Sequence, residues 1–362
     1  MKITIVAGAR PNFIKIAPII RAIEKKQREG ALLSYRLVHT GQHYDKNLSD
    51  TFFEELNIPK PDANLEVKSG SQSVQTANIM VAFEQELLAN PTDLVLVVGD
   101  VNSTMACTLV AKKMNIKVSH VEAGIRSGDM TMPEEINRIV TDSITDYFFT
   151  TSTLATENLI RFGANPEHVH FVGNVMIDTL YQNQHRFTAP DFWSELGLAK
   201  GNYVILTLHR PANVDEEDSL LHLLQGIDGL AQGKKIIFPI HPRTKAILGE
   251  RNLATSNLIM IEPQGYLNFM YLVANSFAVI TDSGGISEET TVLGIPCFTL
   301  RNNTERPETI TVGTNHLVGT QVEKLIEIYT SFLKNGTKEA GIPDLWDGNA
   351  SERIVDLLLQ KR

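Results

Sequence analysis

Twelve short runs rich in β-branched apolar residues punctuate this chain, and turn residues followed by a helical pattern come after them. In the first half they are Ile3–Ala7, Tyr35–His39, Leu94–Val98, Lys117–Val121, Tyr147–Thr150 and His170–Val172. In the second they are Tyr203–Leu208, Lys235–Ile240, Leu258–Ile261, Phe277–Thr281, Pro296–Leu300 and His316–Val318. Continuous apolar runs alternating with helices fit parallel strands covered on both faces. Their repetition on either side of a polar stretch from Leu180 to Lys200 predicts two doubly wound α/β domains joined there. A chain of 362 residues is long enough for two cores at about 150 residues per domain. The expected division is 1–175 and 176–350, with a final amphipathic helix over 351–362 crossing back to the first domain.

Charge and cysteine usage narrow the partners. Lys and Arg number 33 against 42 Asp and Glu, a formal net charge of −9. That balance disfavours broad phosphate-backbone binding, so no nucleic-acid partner is expected. It leaves room for a small anion held by a few local cations. Cys107 and Cys297 both sit in apolar surroundings and read as buried core thiols, without metal spacing or a disulfide framework. No stretch approaches the roughly 18 apolar residues of a membrane span. The opening apolar run ends in Arg-Pro and lacks a cleavage site. A cytoplasmic protein with no membrane partner is expected.

In open α/β sheets ligands sit outside the carboxyl ends of the strands, so the loops there carry the functional reading. After the first run comes Gly8-Ala9-Arg10-Pro11-Asn12-Phe13-Ile14-Lys15. One glycine stands where the dinucleotide fingerprint needs three, which removes the main support for a dehydrogenase. Pro11 suits the first turn of a helix, and Arg10 and Lys15 suit an anionic group. Asp100 follows another run and is placed to cap the helix beginning near Ser103. Glu122 comes two positions after His120 and beside small residues. Glu134 and Glu135 open a further helix, where acids favour the positive end of the dipole. Each carboxylate alone has a structural explanation; three converging at strand ends of one domain suggest acid–base work.

The second half offers His209-Arg210 and His241-Pro242-Arg243 at consecutive strand ends, a pattern suited to a phosphorylated ligand. Its strongest signal is Thr281-Asp282-Ser283-Gly284-Gly285-Ile286-Ser287-Glu288-Glu289. Small residues at a strand-to-helix turn expose N–H groups to a phosphate, and the helix start adds positive potential. Glu289, one turn further in, is placed to accept hydrogen bonds from a ribose hydroxyl pair. Arg301 and Arg306 add two cations after the next strand.

Taken in order, GARPNFIKIAP, HTGQHYD, VVGDVNSTMA, HVEAGIRSGD, MPEEINR, TLHR, FPIHPR, PQGYL, TDSGGISEE and RNNTERPETITVGTN make the chain similar to the non-hydrolysing UDP-N-acetylglucosamine 2-epimerase family. The resemblance spans nearly the whole chain. It implies a GT-B-like α/β architecture, two Rossmann-like doubly wound parallel-sheet domains facing a central cleft, and a homodimer. It implies interconversion of UDP-GlcNAc and UDP-ManNAc by anti elimination of UDP to 2-acetamidoglucal and re-addition, with no nicotinamide, no obligatory metal and no other cofactor. Carried over by motif, Asp100, Glu122 and Glu134 are the acid/base set, and His209 assists departure or return of the diphosphate. Arg10, Lys15, His241, Ser283 and Gly284 hold diphosphate and hexose. Gly285, Glu289 and Arg306 lie on the UDP side, and Gln264 and Phe269 near the base. Which carboxylate takes which proton stays open.

Three departures accompany the resemblance. Pro211 stands where many bacterial relatives carry a second arginine, the segment before Pro133 is shorter than in some of them, and QHYDK only partly matches the pattern linked to substrate activation. Four rival readings are an epimerase for a modified sugar such as UDP-2,3-diacetamido-2,3-dideoxyglucuronic acid, a hydrolysing relative, a glycosyltransferase and a non-catalytic UDP-sugar sensor. Retention of Arg306 disfavours the first, and the pairing of HVEAG with PEEINR the second. Three strand-end carboxylates disfavour the third. Retention of Asp100, Glu122 and His209 disfavours the sensor.

Overall fold

The apolar runs become strands of two separate parallel sheets in the computed structural model, which describes residues 1–41, 53–68, 70–240, 242–248, 255–336 and 338–361, with the backbone alone at Arg10, Pro211, Ala212, Pro242 and Arg243. All twelve appear within one residue of the expected bounds. The chain divides into one unit of Met1–Asn183 with Asp344–Arg362 and a second of Gln184–Pro343.

Among the described residues the first unit carries seven strands: β1 (Lys2–Ala7), β2 (Ser34–His39), β3 (Ala63–Asn64), β4 (Leu94–Val98), β5 (Lys117–Val121), β6 (Tyr147–Thr150) and β7 (Val169–Phe171), in the order β3-β2-β1-β4-β5-β6-β7. The pairings are parallel, with Ile3 opposite Leu94 and Val98 opposite Val121. Every residue of β4 is buried, as a strand covered on both faces requires. The two-residue β3 was not expected, because Ala63-Asn64 has no apolar periodicity to read.

Helices α1 (Arg10–Arg28), α2 (Gln72–Ala89), α3 (Asn102–Lys113), α4 (Pro133–Ile144), α5 (Thr153–Arg161) and α6 (Val175–Asn183) follow in this unit. Ile79, Phe83 and Leu87 of α2 and Ala106, Cys107 and Val110 of α3 pack with Val95 and Val97 of β4 into one core. Cys107 is a buried free thiol, as is Cys297 in the second unit. Gly8 has no room for a side chain, since a Cβ there would lie 2.7 Å from Cβ of Ser103. The turn after β1 therefore sits directly on the start of α3.

The second unit shows six strands among its described residues: β8 (Tyr203–Thr207), β9 (Lys235–Pro239), β10 (Leu258–Ile261), β11 (Ala278–Thr281), β12 (Cys297–Thr299) and β13 (Asn315–Leu317), ordered β10-β9-β8-β11-β12-β13. Its longer helices are α7 (Glu217–Gly229), α8 (Pro242–Leu248), α9 (Tyr266–Ala274), α10 (Gly284–Leu293) and α11 (Val322–Asn335). Relative to its first strand this is the 3-2-1-4-5-6 order of a Rossmann sheet. Each sheet reverses direction once, between β1 and β4 in the first unit and between β8 and β11 in the second.

The last helix, α12 (Ala350–Gln360), packs on α1 and α6 of the first unit. Its opening N–H groups, which no helix can satisfy internally, are taken by a residue of another helix: Asp178 of α6, fully buried, accepts from Ala350 N at 3.1 Å and Ser351 N at 2.6 Å. Trp346 adds a buried anchor, its indole N–H donating to the Thr151 carbonyl at 3.0 Å.

Candidate active site

In the first unit the loops at the switch point bring charges together. Asn12, in the first turn of α1, accepts from Gly8 N and Ala9 N and donates to the Val98 carbonyl at 3.1 Å, which ties the β1 and β4 loops to each other. One turn on, Lys15 points over Gly99 and pairs with Glu122. A Cβ at Gly99 would sit 3.0 Å from Lys15 Nζ and 3.6 Å from Glu122 Oε2, so the glycine lets this ion pair lie on the backbone. Gly99 also has φ +65°, a conformation a side chain would strain.

Glu122 is buried and itself left-handed at φ +69°, unusual for a glutamate and a mark of a constrained turn. The constraint lies two residues further along the chain. At Gly124 a Cβ would lie 2.1 Å from the Ala155 carbonyl oxygen, so the chain must turn sharply to pass α5. Beneath this turn the fully buried His120 bridges Asp142 (2.7 Å) and the Gly99 carbonyl (2.8 Å). Burial would push the Asp142 carboxyl up, but the charges of His120 and Arg126 hold it below the ordinary carboxylate range.

Asp100 does not take the role of helix cap. The cap position of α3 falls on Val101. Asp100 Oδ2 instead accepts from Arg138 Nε at 3.0 Å and Nη2 at 2.6 Å. Arg138 comes from the second turn of α4 and donates its remaining arm to Glu135 at 2.6 Å. Glu135 in turn accepts from Ser127 N and Gly128 N, and these donors with Arg138 hold it below its ordinary value despite the opposing effect of burial. Asn137 of the same helix donates to the Asp100 carbonyl at 2.9 Å. One face of α4 thus grips the Gly99–Asp100 turn, while Glu134, in its first turn, is half-buried.

In the second unit the switch point joins His209 to Asp282. His209 Nδ1 lies 2.7 Å from Asp282 Oδ1, with the His209 side chain 56% exposed and that of Asp282 fully buried. The same carboxylate accepts from the backbone N–H of His209 and Arg210 and from Asn213 Nδ2 at 3.1 Å. Burial works against ionisation of Asp282, and these donors, led by His209, hold it below the usual range.

Ser283, Gly284 and Gly285 occupy the start of α10, half-exposed, where the backbone N–H groups have no partner within the helix. Behind them the acids are buried. Glu289 accepts from the Tyr266 hydroxyl at 3.1 Å, and Glu288 pairs with Arg306. Burial, with Glu289 alongside, raises the Tyr266 hydroxyl well above its ordinary value, so it donates as a neutral phenol. Arg301 is not the accessible cation the sequence suggests, because it is buried in a two-armed pair with Glu305 at 2.7 Å on each arm. Gln264 donates to the Glu262 carbonyl, and Phe269 is half-buried on α9. His241 and the stretch from Gln42 through Lys46 lie outside the described residues, as does the side chain of Arg10.

A family model described as UDP-N-acetylglucosamine 2-epimerase matches residues 25–359. The chain belongs to this family. The family member from Methanocaldococcus jannaschii, named UDP-N-acetylglucosamine 2-epimerase, is 42% identical over 99% of each chain. Its crystal structure in complex with UDP-GlcNAc and UDP superposes with a TM-score of 0.89, covering 99% of this chain and 100% of that one. A Pseudomonas aeruginosa relative named UDP-2,3-diacetamido-2,3-dideoxy-D-glucuronate 2-epimerase is 38% identical over 99% of each.

For a 2-epimerase family member, the residues that sequence reasoning missed are those holding the expected ones: Arg138, Glu135 and Asn137 behind Asp100, Asp282 behind His209, and Glu288 behind Arg306. A signal was present in part. Asp282 directly follows the strand beside the one that leads to His209, so the strand order alone brings the two together. Nothing local marks which face of MPEEINR turns towards residue 100.

Proposed function

We propose that this chain interconverts UDP-GlcNAc and UDP-ManNAc by inversion at C2, supplying ManNAc-type sugars for surface polysaccharide synthesis. The observation that carries the reading is the gathering of Asp100 and Glu122 around Gly99, each beside a cation of its own unit. Elimination needs a base that takes the C2 proton while the C1–O bond breaks and its electron pair leaves with UDP. The C2–H electrons then form the C1=C2 bond of 2-acetamidoglucal. Re-addition reverses the flow with the proton delivered to the opposite face, so two positioned acid–base groups are required. Asp100, Glu122 and Glu134 are the acid–base set of this proposal. Arg10, Lys15 and His241 bind diphosphate and hexose with Ser283 and Gly284. Gly285, Glu289 and Arg306 bind the UDP side, Gln264 and Phe269 lie near the base, and His209 serves the leaving diphosphate. The reaction so proposed uses no cofactor.

A proton NMR time course with UDP-GlcNAc in D2O tests this. UDP-ManNAc with deuterium at C2 is the expected outcome. Free ManNAc with UDP would assign a hydrolysing enzyme. No turnover with UDP still bound would favour the second reading, a modified UDP-sugar, which the Pseudomonas aeruginosa relative supports and the retained Arg306 disfavours.

The same proposal includes a cytoplasmic homodimer. Among the described residues no helix is long and apolar enough to cross a membrane. Val74, Val81 and Leu88 of α2 are 55%, 65% and 61% exposed and lie one heptad apart. Around this stripe Ser73, Ala77, Asn78 and Gln85 are exposed and uncharged, and Glu84 is an exposed charge between Val81 and Leu88. A two-fold contact needs a surface complementary to itself, and an apolar stripe whose neighbours are uncharged apart from Glu84 meets that need. Val81→Glu is expected to give monomers by sedimentation while wild type sediments as a dimer; an unchanged dimer would place the contact elsewhere.

A further inference from the structure

We propose that Asp282 is a positioning residue for His209. Its buried carboxylate keeps the proton on Nδ1 and turns Nε2 outward as the atom that trades a proton with the diphosphate. The inference rests on the reading of His209 as the group serving the leaving diphosphate.

The strands set the pair. Thr207 and Thr281 are register partners in β8 and β11, and their hydroxyls lie 2.6 Å apart. His209 and Asp282 emerge just beyond, at the point where the sheet order reverses. An ionised carboxylate offers only acceptor sites. Asp282 spends them on the N–H groups of His209 and Arg210, on the Asn213 amide and on His209 Nδ1. The imidazole must therefore donate from Nδ1, which fixes the tautomer. The other ring nitrogen belongs to a side chain more than half exposed, whereas Asp282 has no exposed surface. Arg210 is the charged neighbour, its Nε donating to the Asp282 carbonyl at 3.2 Å rather than to the carboxylate.

The step this serves is balanced. As the C1–O bond breaks, its electron pair goes to the diphosphate oxygen, and that oxygen takes the proton from Nε2 of the imidazolium. The ring is left neutral with Nδ1–H retained by Asp282. When the diphosphate returns to C1, Nε2 takes the proton back. A ring in the other tautomer would present an N–H that has no lone pair with which to recover it.

Asp282→Asn tests the pair. The amide oxygen still accepts from backbone N–H, but the amide N–H2 now faces Nδ1 and forces the proton onto Nε2. Long-range proton–nitrogen NMR of histidine-labelled protein, above the pH at which the ring is protonated, is expected to show Nδ1–H in wild type and Nε2–H in the variant. The variant's kcat should fall by about 10³-fold, the scale of a positioned acid–base group, with UDP affinity unchanged. A wild-type ring protonated on Nε2 overturns the proposal, and this measurement stands even if the variant does not fold. A variant ring that keeps Nδ1–H also overturns it. A tautomer flip without loss of kcat overturns the catalytic half, and then His209→Gln with full activity would locate the failure in the reading of His209 itself.

Discussion

The two switch-point clusters are built on the same sheet topology with opposite charge order. In the first unit a cation stands behind an acid: Arg138 is 5% exposed and the Asp100 it grips 30%. In the second, acids stand behind cations or a histidine: Asp282 is fully buried behind His209, and Glu288, 1% exposed, lies behind Arg306 at 12%. The proposed function gives the two clusters different tasks. Accepting a proton from carbon calls for a carboxylate that stays ionised and aimed, while holding a diphosphate calls for N–H donors and positive charge. Glu122 breaks the pattern, being buried more deeply than its partner Lys15. Its left-handed backbone couples it to the tight turn over α5 instead.

The sharpest way to break the comparison is to neutralise the acids of the first unit. Asp100→Asn or Glu122→Gln is expected to lower kcat by about 10³-fold while UDP binding, which the proposed function places on other residues, stays near wild type by calorimetry. Parallel loss of UDP binding would show that these carboxylates hold the protein together and do not react.

Removing what stands behind Asp100 has a smaller and different effect. Arg138→Met leaves Asp100 without its guanidinium and Glu135 buried without one of its donors. Breaking such a buried pair costs roughly 3–5 kcal/mol, visible as a lower denaturation midpoint. An opposite charge favours the ionised carboxylate, so its loss moves the acid limb of the kcat profile to higher pH. The groups facing the Gly99–Asp100 turn are Arg138 with Glu135 from α4, His120 with Asp142, and Lys15 with Glu122. Arg138→Lys keeps the charge and should restore much of the acid limb. An unmoved limb in the Met variant would mean that another group sets it.

Much of this was legible in sequence, for a physical reason. A strand buried on both faces must be apolar throughout, so β4 announced itself, and the strand-end rule then pointed to Asp100, Glu122, His209 and Ser283. What stayed hidden was the partner of each. Arg138 lies 38 positions from Asp100 and Asp282 lies 73 from His209, and such pairings are set by which strands become neighbours. Arg301 misled for a different reason, since its neutralisation by Glu305, four residues on, depends on a local turn and not on composition. Asp178 is again a distant case: an acid in the first turn of α6, it caps a helix that begins 172 residues later.

The second unit contains one carboxylate outside its own rule, and that gives the finest test. Arg306 is committed to Glu288, and Glu308, two residues further on, is left competing for the same guanidinium. Burial, reinforced by Glu288 and only partly offset by Arg306, pushes Glu308 up to about 7. A carboxyl whose folded value is raised binds its proton more tightly folded than unfolded. Its effect on stability is therefore absent below the ordinary 4.5 and grows adverse as pH rises towards 7. Above 7 the folded state carries the full cost of an ionised, poorly paired carboxylate, roughly 3 kcal/mol at 1.36 kcal/mol per pH unit between 4.5 and 7. Glu308→Gln should then raise the melting temperature at pH 8 and leave it unchanged at pH 4. A variant that destabilises at pH 8 would mean that Glu308 is a working partner of Arg306, and that both acids stand behind the arginine.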